Sequence, residues 1–277
     1  MKTATRIATL GPAGTFSELA ALEYAQQLPN YTLQYYPALA RVLKALPDEA
    51  DIAVVPIENI VEGMVSPVID TFVKRPLEII DELSIPVRFS LVANHDMPTK
   101  IYAQFVAQGQ CSECLSRYNV PIMNTASNSE SLQLLEQSRE PAAAVVPEHC
   151  LGEHSFVHVE HDITDYAHNE TRFVAVRMPG LQESLRQPQV TYKTSLLIID
   201  DTDHPGLLVE HLQVFAAYRV NLTSLVSRPT GQKFGQYHFY IECEGHHDDS
   251  AIRAALTLIQ LRNKVMVLGS YPDAGAA

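Results

Sequence analysis

RIATLGPAGTFSELAALEYAQQ, residues 6–27, decides the fold class. Arg6 to Leu10 reads as a short strand, and Gly11-Pro12-Ala13-Gly14 cannot continue it. Thr15 follows, with Glu18 three residues later. That capping box opens a helix from Phe16 to Gln27 whose Leu19, Leu22 and Ala25 mark one face. The same alternation continues downstream. Asp51 to Val55 is a strand stopped by Pro56, and Ser66-Pro67 starts a helix through about Lys74, with Ser at the N-cap and Pro at the first helical position. Val87 to Ala93 is apolar and β-prone. A helix is expected near Tyr102 to Tyr118, then a strand at Pro121 to Met123. Ser127-Asn128-Ser129-Glu130 forms a second capping box, opening a helix to about Ser138. Pro141 to Val146 is a buried apolar run, and Arg172 to Arg177 closes the region as a strand. Strands alternating with helices over residues 5–178 indicate an α/β domain with a largely parallel sheet.

Residues 179–192 (PGLQESLRQPQVTY) are polar with two prolines and read as a linker. Beyond it the order changes to strand 193–200, helix 206–218, strand 220–227, strand 236–243, helix 249–263 and strand 265–271. Leu208/Leu212/Phe215 and Ile252/Leu256/Ile259 give the two helices apolar faces. This β-α-β-β-α-β order over residues 193–272 is the ferredoxin-like arrangement.

Length and charge narrow the functions. A chain of 277 residues can bury its core without a disulfide or metal staple. Its formal net charge of −12 argues against nucleic acid or an anionic membrane as partner. Four cysteines are too few for a disulfide framework. Met1 to Leu10 lacks the apolar core of a signal peptide, and no stretch reaches the ~18 apolar residues of a membrane span. A reduced, cytoplasmic protein is expected.

Three motifs then carry a resemblance. Gly11-Pro12-Ala13-Gly14-Thr15-Phe16-Ser17-Glu18 comes first. Val55-Pro56-Ile57-Glu58-Asn59 follows, with Glu62-Gly63 after it. The third is Asn169-Glu170-Thr171-Arg172-Phe173, an Asn-x-Thr-Arg-Phe run. Gly206-Leu207-Leu208-Val209, Asn221-Leu222-Thr223, Ser227-Arg228-Pro229 and Leu268-Gly269-Ser270-Tyr271-Pro272 complete the set in the second domain. In this order they resemble the prephenate dehydratases that carry a C-terminal ACT regulatory domain. Four places depart from that pattern. Ile60 stands where Ser or Thr is usual, and Gln104-Phe105-Val106 replaces a His-Pro-Gln motif. Asn128 replaces Thr in a Ser-Thr pair, and Val226 replaces a Glu before Ser-Arg-Pro.

The resemblance implies a two-lobed, periplasmic-binding-protein-like catalytic domain that turns prephenate into phenylpyruvate with loss of water and carbon dioxide. Aromatisation drives such a reaction, so no cofactor and no metal is expected. It implies Thr171 as catalytic residue, hydrogen-bonding the departing hydroxyl; positioned proton donation is worth about 10²–10⁴-fold. Strand alternation puts Thr171 and Phe173 on one face, with Phe173 lining the cleft, and turns Arg172 to the other as an ion-pair partner. Of Glu58 and Asn59, the amide suits a dianion better, which leaves Glu58 to loop backbone amides. Thr15, Ser127 and Asn128 stand at two helix N-termini that can offer N–H groups to carboxylates.

In the second domain, Gly206, Leu207, Leu208, Asn221, Ser227, Arg228 and Pro229 are the implied phenylalanine site, formed between subunits of a homodimer or homotetramer. Arogenate is the alternative substrate, and a non-catalytic aromatic amino-acid sensor the alternative function. Cys111-Ser-Glu-Cys114 has CxxC spacing without a second pair. His149, His154, His158, His161 and His168 share no regular ligand face. Neither is read as metal-binding, and the histidines are read as solvated.

Overall fold

The computed structural model describes residues 4–152, 154–180, 186–187, 189–199, 204–231 and 236–275. Residues 181–185 and 188 of the expected linker, and Asp200 of the expected strand 193–200, lie outside the described residues. Three sheets organise the chain. The first lobe holds β1 (Thr5–Leu10), α1 (Phe16–Ala25), β2 (Tyr31–Tyr36), α2 (Leu39–Lys44), β3 (Ile52–Asn59), β4 (Gly63–Met64), α3 (Ser66–Lys74) and β5 (Glu78–Pro86). The second lobe holds β6 (Phe89–Ala93), β7 (Ile101–Gln104), α4 (Phe105–Gln110), α5 (Ser112–Ser116), β8 (Ile122–Thr125), α6 (Asn128–Gln137), β9 (Ala143–Pro147) and β10 (His158–Glu160). The chain then returns to the first lobe as β11 (Glu170–Arg177). A separate unit follows: β12 (Tyr192–Ile199), α7 (Leu207–Ala217), β13 (Leu222–Pro229), β14 (Tyr237–Glu244), α8 (Ser250–Gln260) and β15 (Lys264–Pro272).

The first sheet runs β2-β1-β3-β11-β5 with β4 on β3, the second β10-β6-β9-β7-β8, and the third β13-β14-β12-β15. Both lobe sheets are mixed rather than largely parallel. β1, β2 and β3 run parallel, but β11 is antiparallel to β3 and β5 because it re-enters from the other lobe. The chain crosses between lobes just after β5 and just before β11. The crossings touch, since Val87 N–H donates to the Asn169 carbonyl at 2.8 Å. Two adjacent crossings make a hinge between the lobes.

The helix expected near Tyr102 to Tyr118 begins as a strand and is split into two short helices, α4 and α5. Residues 101–104 alternate buried and half-buried and pair with β8 as a strand. The Gln104 side chain then caps α4 by accepting Val106 N–H at 2.7 Å. Cys111, at φ −129° and ψ 26°, separates α4 from α5. Ser66 proves to be the first helical residue of α3, with Val65 at the cap.

The two domains share a hydrophobic core. Leu197, Tyr240, Leu268 and Tyr271 of the second unit pack in one buried cluster with Val55, Ile57, Phe72, Ile79 and Val174 of the first. Burial of such side chains is worth about 1.5–3 kcal/mol each. Gly269 marks the closest approach: a Cβ there would sit 2.0 Å from the Ile79 carbonyl oxygen of β5.

Candidate functional site

Three groups of residues emerge, built on different elements. The first lies at the ends of β3 and β11, where Asn59 and Thr171 are direct cross-strand partners. Asn59 Oδ1 accepts the N–H groups of Val61 at 3.0 Å and Glu62 at 2.9 Å, which fixes the orientation of its amide. Its Nδ2 therefore faces β11, donating to Thr171 Oγ1 at 2.9 Å, Asn169 Oδ1 at 2.9 Å and the Glu170 carbonyl at 3.1 Å. Asn169 Nδ2 donates to Gln110 Oε1 at 2.9 Å, and Gln110 Nε2 to Glu62 Oε1 at 3.3 Å. Asn59, Asn169 and Gln110 are all buried, and each of these three amides is paired through both its oxygen and its nitrogen. Gln110 belongs to the second lobe, so the network bridges the hinge. Asn169 opens the Asn-x-Thr-Arg-Phe run, though the sequence assigns its side chain no role, and Gln110 does not stand out at all. The only signal was Gln110's place beside Cys111, and a glutamine there reads as an ordinary helical residue.

Alternation along β11 holds. Phe173 and Ala175 enter the cluster with Ile7, Ala20, Ala21, Tyr24 and Ile85, while Val174 and Val176 enter the core on the opposite face. Phe173 is 1% exposed, so it does not line the cleft. The sheet and α1 close over its ring, and it supports Thr171 from within the core. Arg172 turns to the face opposite Thr171 and pairs with Glu58, Glu82 and Glu242. Glu58 is thus an ion-pair partner of Arg172 rather than an acceptor for loop amides.

The second group stands at the N-termini of α1 and α6, ten residues each. Thr15 Oγ1 accepts Glu18 N–H at 3.3 Å, and Ser127 Oγ accepts Glu130 N–H at 3.1 Å. Each box closes one residue further back than the simplest form, with Gly14 N–H donating to Glu18 and Ala126 N–H to Glu130. Both hydroxyls are committed to capping, which leaves the first-turn N–H groups for an anion. The two termini meet across the lobes: Ser129 Oγ donates to the Ala13 carbonyl, and Cys150 Sγ to the Gly14 carbonyl at 3.0 Å. Asn128 Oδ1 is buried and has no hydrogen-bond partner among the described residues. A groove of about 630 Å³ beside this contact is lined by Gly11, Tyr35, Ser127 and Glu130. Phe16, edge-on to Phe89 at 5.4 Å, packs against the buried clusters of both lobes.

The third group is in the second domain. Gly206 caps α7 at φ 93°, with open space where a Cβ would be. Leu207 is buried and Leu208 packs on the same core. Asn221 Nδ2 donates to Glu244 Oε1 at 2.7 Å. Ser227 and Pro229 lie on β13, the edge strand. Arg228 reaches out of its domain, donating to both carboxylate oxygens of Asp70 on α3 at 2.9 Å.

The histidine run does not converge: His149 packs on Phe16, His154 pairs with Glu136, and His161 with Glu148. Among the described residues, the group with metal-ligand spacing is instead His246, His247 and Asp248. The four cysteines are free, and burial pushes the Cys111 thiol up, away from the reactive range. No helix of the described residues is long and apolar enough to cross a membrane.

Two lobes hinged at a buried amide network, with a βαββαβ unit docked behind, define a ligand-cleft α/β protein with an appended regulatory-type domain. A prephenate dehydratase family model matches residues 7–180, and an ACT domain model residues 195–257. A prephenate dehydratase of Mycobacteroides abscessus is 34% identical over 281 residues, covering 96% of this chain and 90% of its own. A bifunctional chorismate mutase/prephenate dehydratase of Aquifex aeolicus is 30% identical over 279 residues, covering 97% of this chain and 74% of its own. The crystal structure of the Arthrobacter aurescens prephenate dehydratase in complex with L-Phe superposes with a TM-score of 0.85 at 31% identity, covering 98% of this chain and 91% of that one. The chain belongs to the prephenate dehydratase family and carries an ACT domain.

Proposed function

We propose that the chain converts prephenate to phenylpyruvate and that phenylalanine, bound in the ACT domain, regulates it. The observation that carries this reading is the Asn59–Thr171 hydrogen bond. Because Asn59 Nδ2 donates to Thr171 Oγ1, the threonine oxygen is the acceptor in that contact. Its own proton is left to donate elsewhere. Directed at a ring hydroxyl in the cleft, that O–H assists carbon–oxygen cleavage as a positioned donor. The ring carboxylate leaves as carbon dioxide, its bonding pair entering the ring as the hydroxyl departs. One proton is taken up to make water, which balances a dianion against phenylpyruvate, carbon dioxide and water.

The dianion is held without a buried cation from β11, since Arg172 is committed on the other face. The facing N-termini of α1 and α6 supply N–H groups instead. Thr15, Ser127 and Asn128 contribute through these termini, and Asn59 through Thr171. Asn221 and Ser227 stand at the edge of the ACT sheet, where a second copy can complete a phenylalanine site. A homodimer or homotetramer follows from that reading, checked by light scattering with and without phenylalanine. Two buried free thiols, Cys111 and Cys114, suit a reducing, cytoplasmic setting.

The test is product formation by the purified chain from prephenate and, separately, from arogenate. Phenylpyruvate from prephenate supports the reading. Phenylalanine formed from arogenate alone would reassign the substrate. No product from either, with a folded sample that binds phenylalanine, would leave a sensor.

A further inference from the structure

We propose that Glu242, in the ACT domain, is a positioning residue for the Asn59–Thr171 pair, acting through Arg172; this rests on Thr171 being the catalytic threonine. The Arg172 guanidinium meets carboxylates from three strands. Its Nη2 donates to Glu58 Oε2 on β3 and to Glu242 Oε2 on β14, each at 2.8 Å. Its Nη1 donates to Glu82 Oε2 on β5 at 2.9 Å and to Glu242 Oε1 at 3.0 Å. One side chain thus ties both strands that flank β11 to a strand of the other domain. The Glu242 contact is bidentate, a geometry that fixes the orientation of the guanidinium as well as its place. Glu242 is 1% exposed and is itself held by the Tyr240 hydroxyl at 2.6 Å. On the far side of the cluster Lys193 of β12 pairs with Glu82 at 2.8 Å and with Asp273 at 3.2 Å.

The clamp sits at an irregularity of the first sheet. Arg172 pairs with Glu58 and Phe173 with Pro56, so Ile57 has no partner on β11. A bulge interrupts the ladder, and beyond it the strand end needs other contacts to hold its place. Asn59 is the next residue after Glu58, and its 2.9 Å contact with Thr171 sets the direction of the threonine proton. Glu58 and Glu242 pull the same guanidinium from opposite domains, and that balance holds the spacing of β3 and β11 at the bulge. A catalytic group displaced on the order of 1 Å can cost about 10²-fold in rate. β14 also pairs with β13, which carries Ser227 and Arg228. The clamp therefore lies between the effector residues and the reacting threonine.

Steady-state kinetics on the full chain tests this. Glu242→Gln keeps the side-chain shape but loses the charge and one of the two bonds. Glu242→Gln and Glu58→Gln should each lower kcat about tenfold while KM stays within about twofold. Asp70→Asn breaks another interdomain pair, with Arg228, and does not touch Arg172. It should lower the melting temperature and leave kcat unchanged. A wild-type kcat in Glu242→Gln, or an equal loss in Asp70→Asn, overturns the proposal. If Glu242→Gln does not fold, Glu58→Gln decides, because that side chain is partly exposed; an unchanged kcat there overturns it too. Folded wild-type protein without turnover on prephenate would remove the functional reading itself, and the proposal with it.

Discussion

Replacing Thr171 with valine separates chemistry from folding, because the structure sets a different magnitude for each. Asn59 Nδ2 carries two hydrogens and has three acceptors: Asn169 Oδ1 at 2.9 Å, the Glu170 carbonyl at 3.1 Å and Thr171 Oγ1 at 2.9 Å. Removing the hydroxyl leaves two acceptors for two hydrogens, so no buried donor is stranded. The loss to stability is one neutral hydrogen bond, about 0.5–1.5 kcal/mol, within a total of about 5–15 kcal/mol. Valine is nearly isosteric and half-buried here, so packing changes little. The barrier to turnover should rise far more. Loss of a positioned donor removes about 10²–10⁴-fold, or about 2.7–5.4 kcal/mol at 1.36 kcal/mol per decade. Phenylpyruvate formation and thermal unfolding, measured on wild type, Thr171→Val and Thr171→Ser, give both numbers. The serine variant keeps the O–H and should retain most of the rate. Turnover by Thr171→Val within about threefold of wild type would refute the assignment. A valine variant that unfolds would refute the hydrogen-bond accounting.

Other perturbations address the rest of the molecule. Gly269→Ala puts a Cβ 2.0 Å from the Ile79 carbonyl oxygen, so β15 and β5 must part; a loss of at least about 1–3 kcal/mol is expected in urea unfolding, as for an overpacked core. Burial holds the His149 imidazole below its ordinary pKa, only partly opposed by Glu18. The unfolded chain therefore binds that proton more readily, and the stability from the neutral ring is present above about pH 6.5 and lost as pH falls below it. His149→Gln should flatten the decline in melting temperature between about pH 7 and 5, and an unchanged slope would count against it. Phenylalanine at about 100 times its Kd should stabilise the chain by about 2.7 kcal/mol and inhibit turnover. Asn221→Ala should weaken both effects together. Dialysis against EDTA should leave turnover intact, whereas a loss of rate would give His246, His247 and Asp248 a metal to hold.

The elements that were legible in the sequence are those whose signals are local. Thr15 with Glu18 and Ser127 with Glu130 announce their helices because a cap is a contact between near neighbours, and both caps form. The βαββαβ order of the second domain follows from apolar spacing and turn residues in the same way. The span from Tyr102 to Tyr118 reads as one helix because α4 and α5 are only six and five residues long. A strand followed by two such turns carries nearly the same apolar spacing as one helix. The linking role of Gln110 and Asn169 is hidden for a different reason. Their role depends on partners 48 to 110 positions away, and only tertiary structure reveals those. Alternation places Arg172 on the face opposite Thr171, but nothing local shows that its partners are Glu58, Glu82 and, from the second domain, Glu242.

The four departures from the family pattern can now be weighed by where they fall. Ile60 is 68% exposed, and its backbone N–H still donates to the Glu170 carbonyl at 3.0 Å. The site uses that main-chain bond, which any side chain permits. Gln104 caps α4, and one and a half turns further on Gln110 reaches the buried amide chain. The changed motif thus keeps the frame that delivers Gln110. Val226 packs against the core shared by both domains, so an apolar residue there strengthens the docking of the ACT domain and withdraws a charge from the effector side. Asn128 is the first residue of α6, and its buried Oδ1 is left without a partner among the described residues. An unpaired buried acceptor costs about 1–3 kcal/mol. That cost is recovered when a donor arrives, whether water or a ligand hydroxyl. The substitutions therefore spare the Asn59–Thr171 bond and the clamp on Arg172. On the proposed function, that favours an active enzyme over a sensor that has lost its chemistry, with Asn128 and Val226 as the departures to test for altered substrate and phenylalanine affinity.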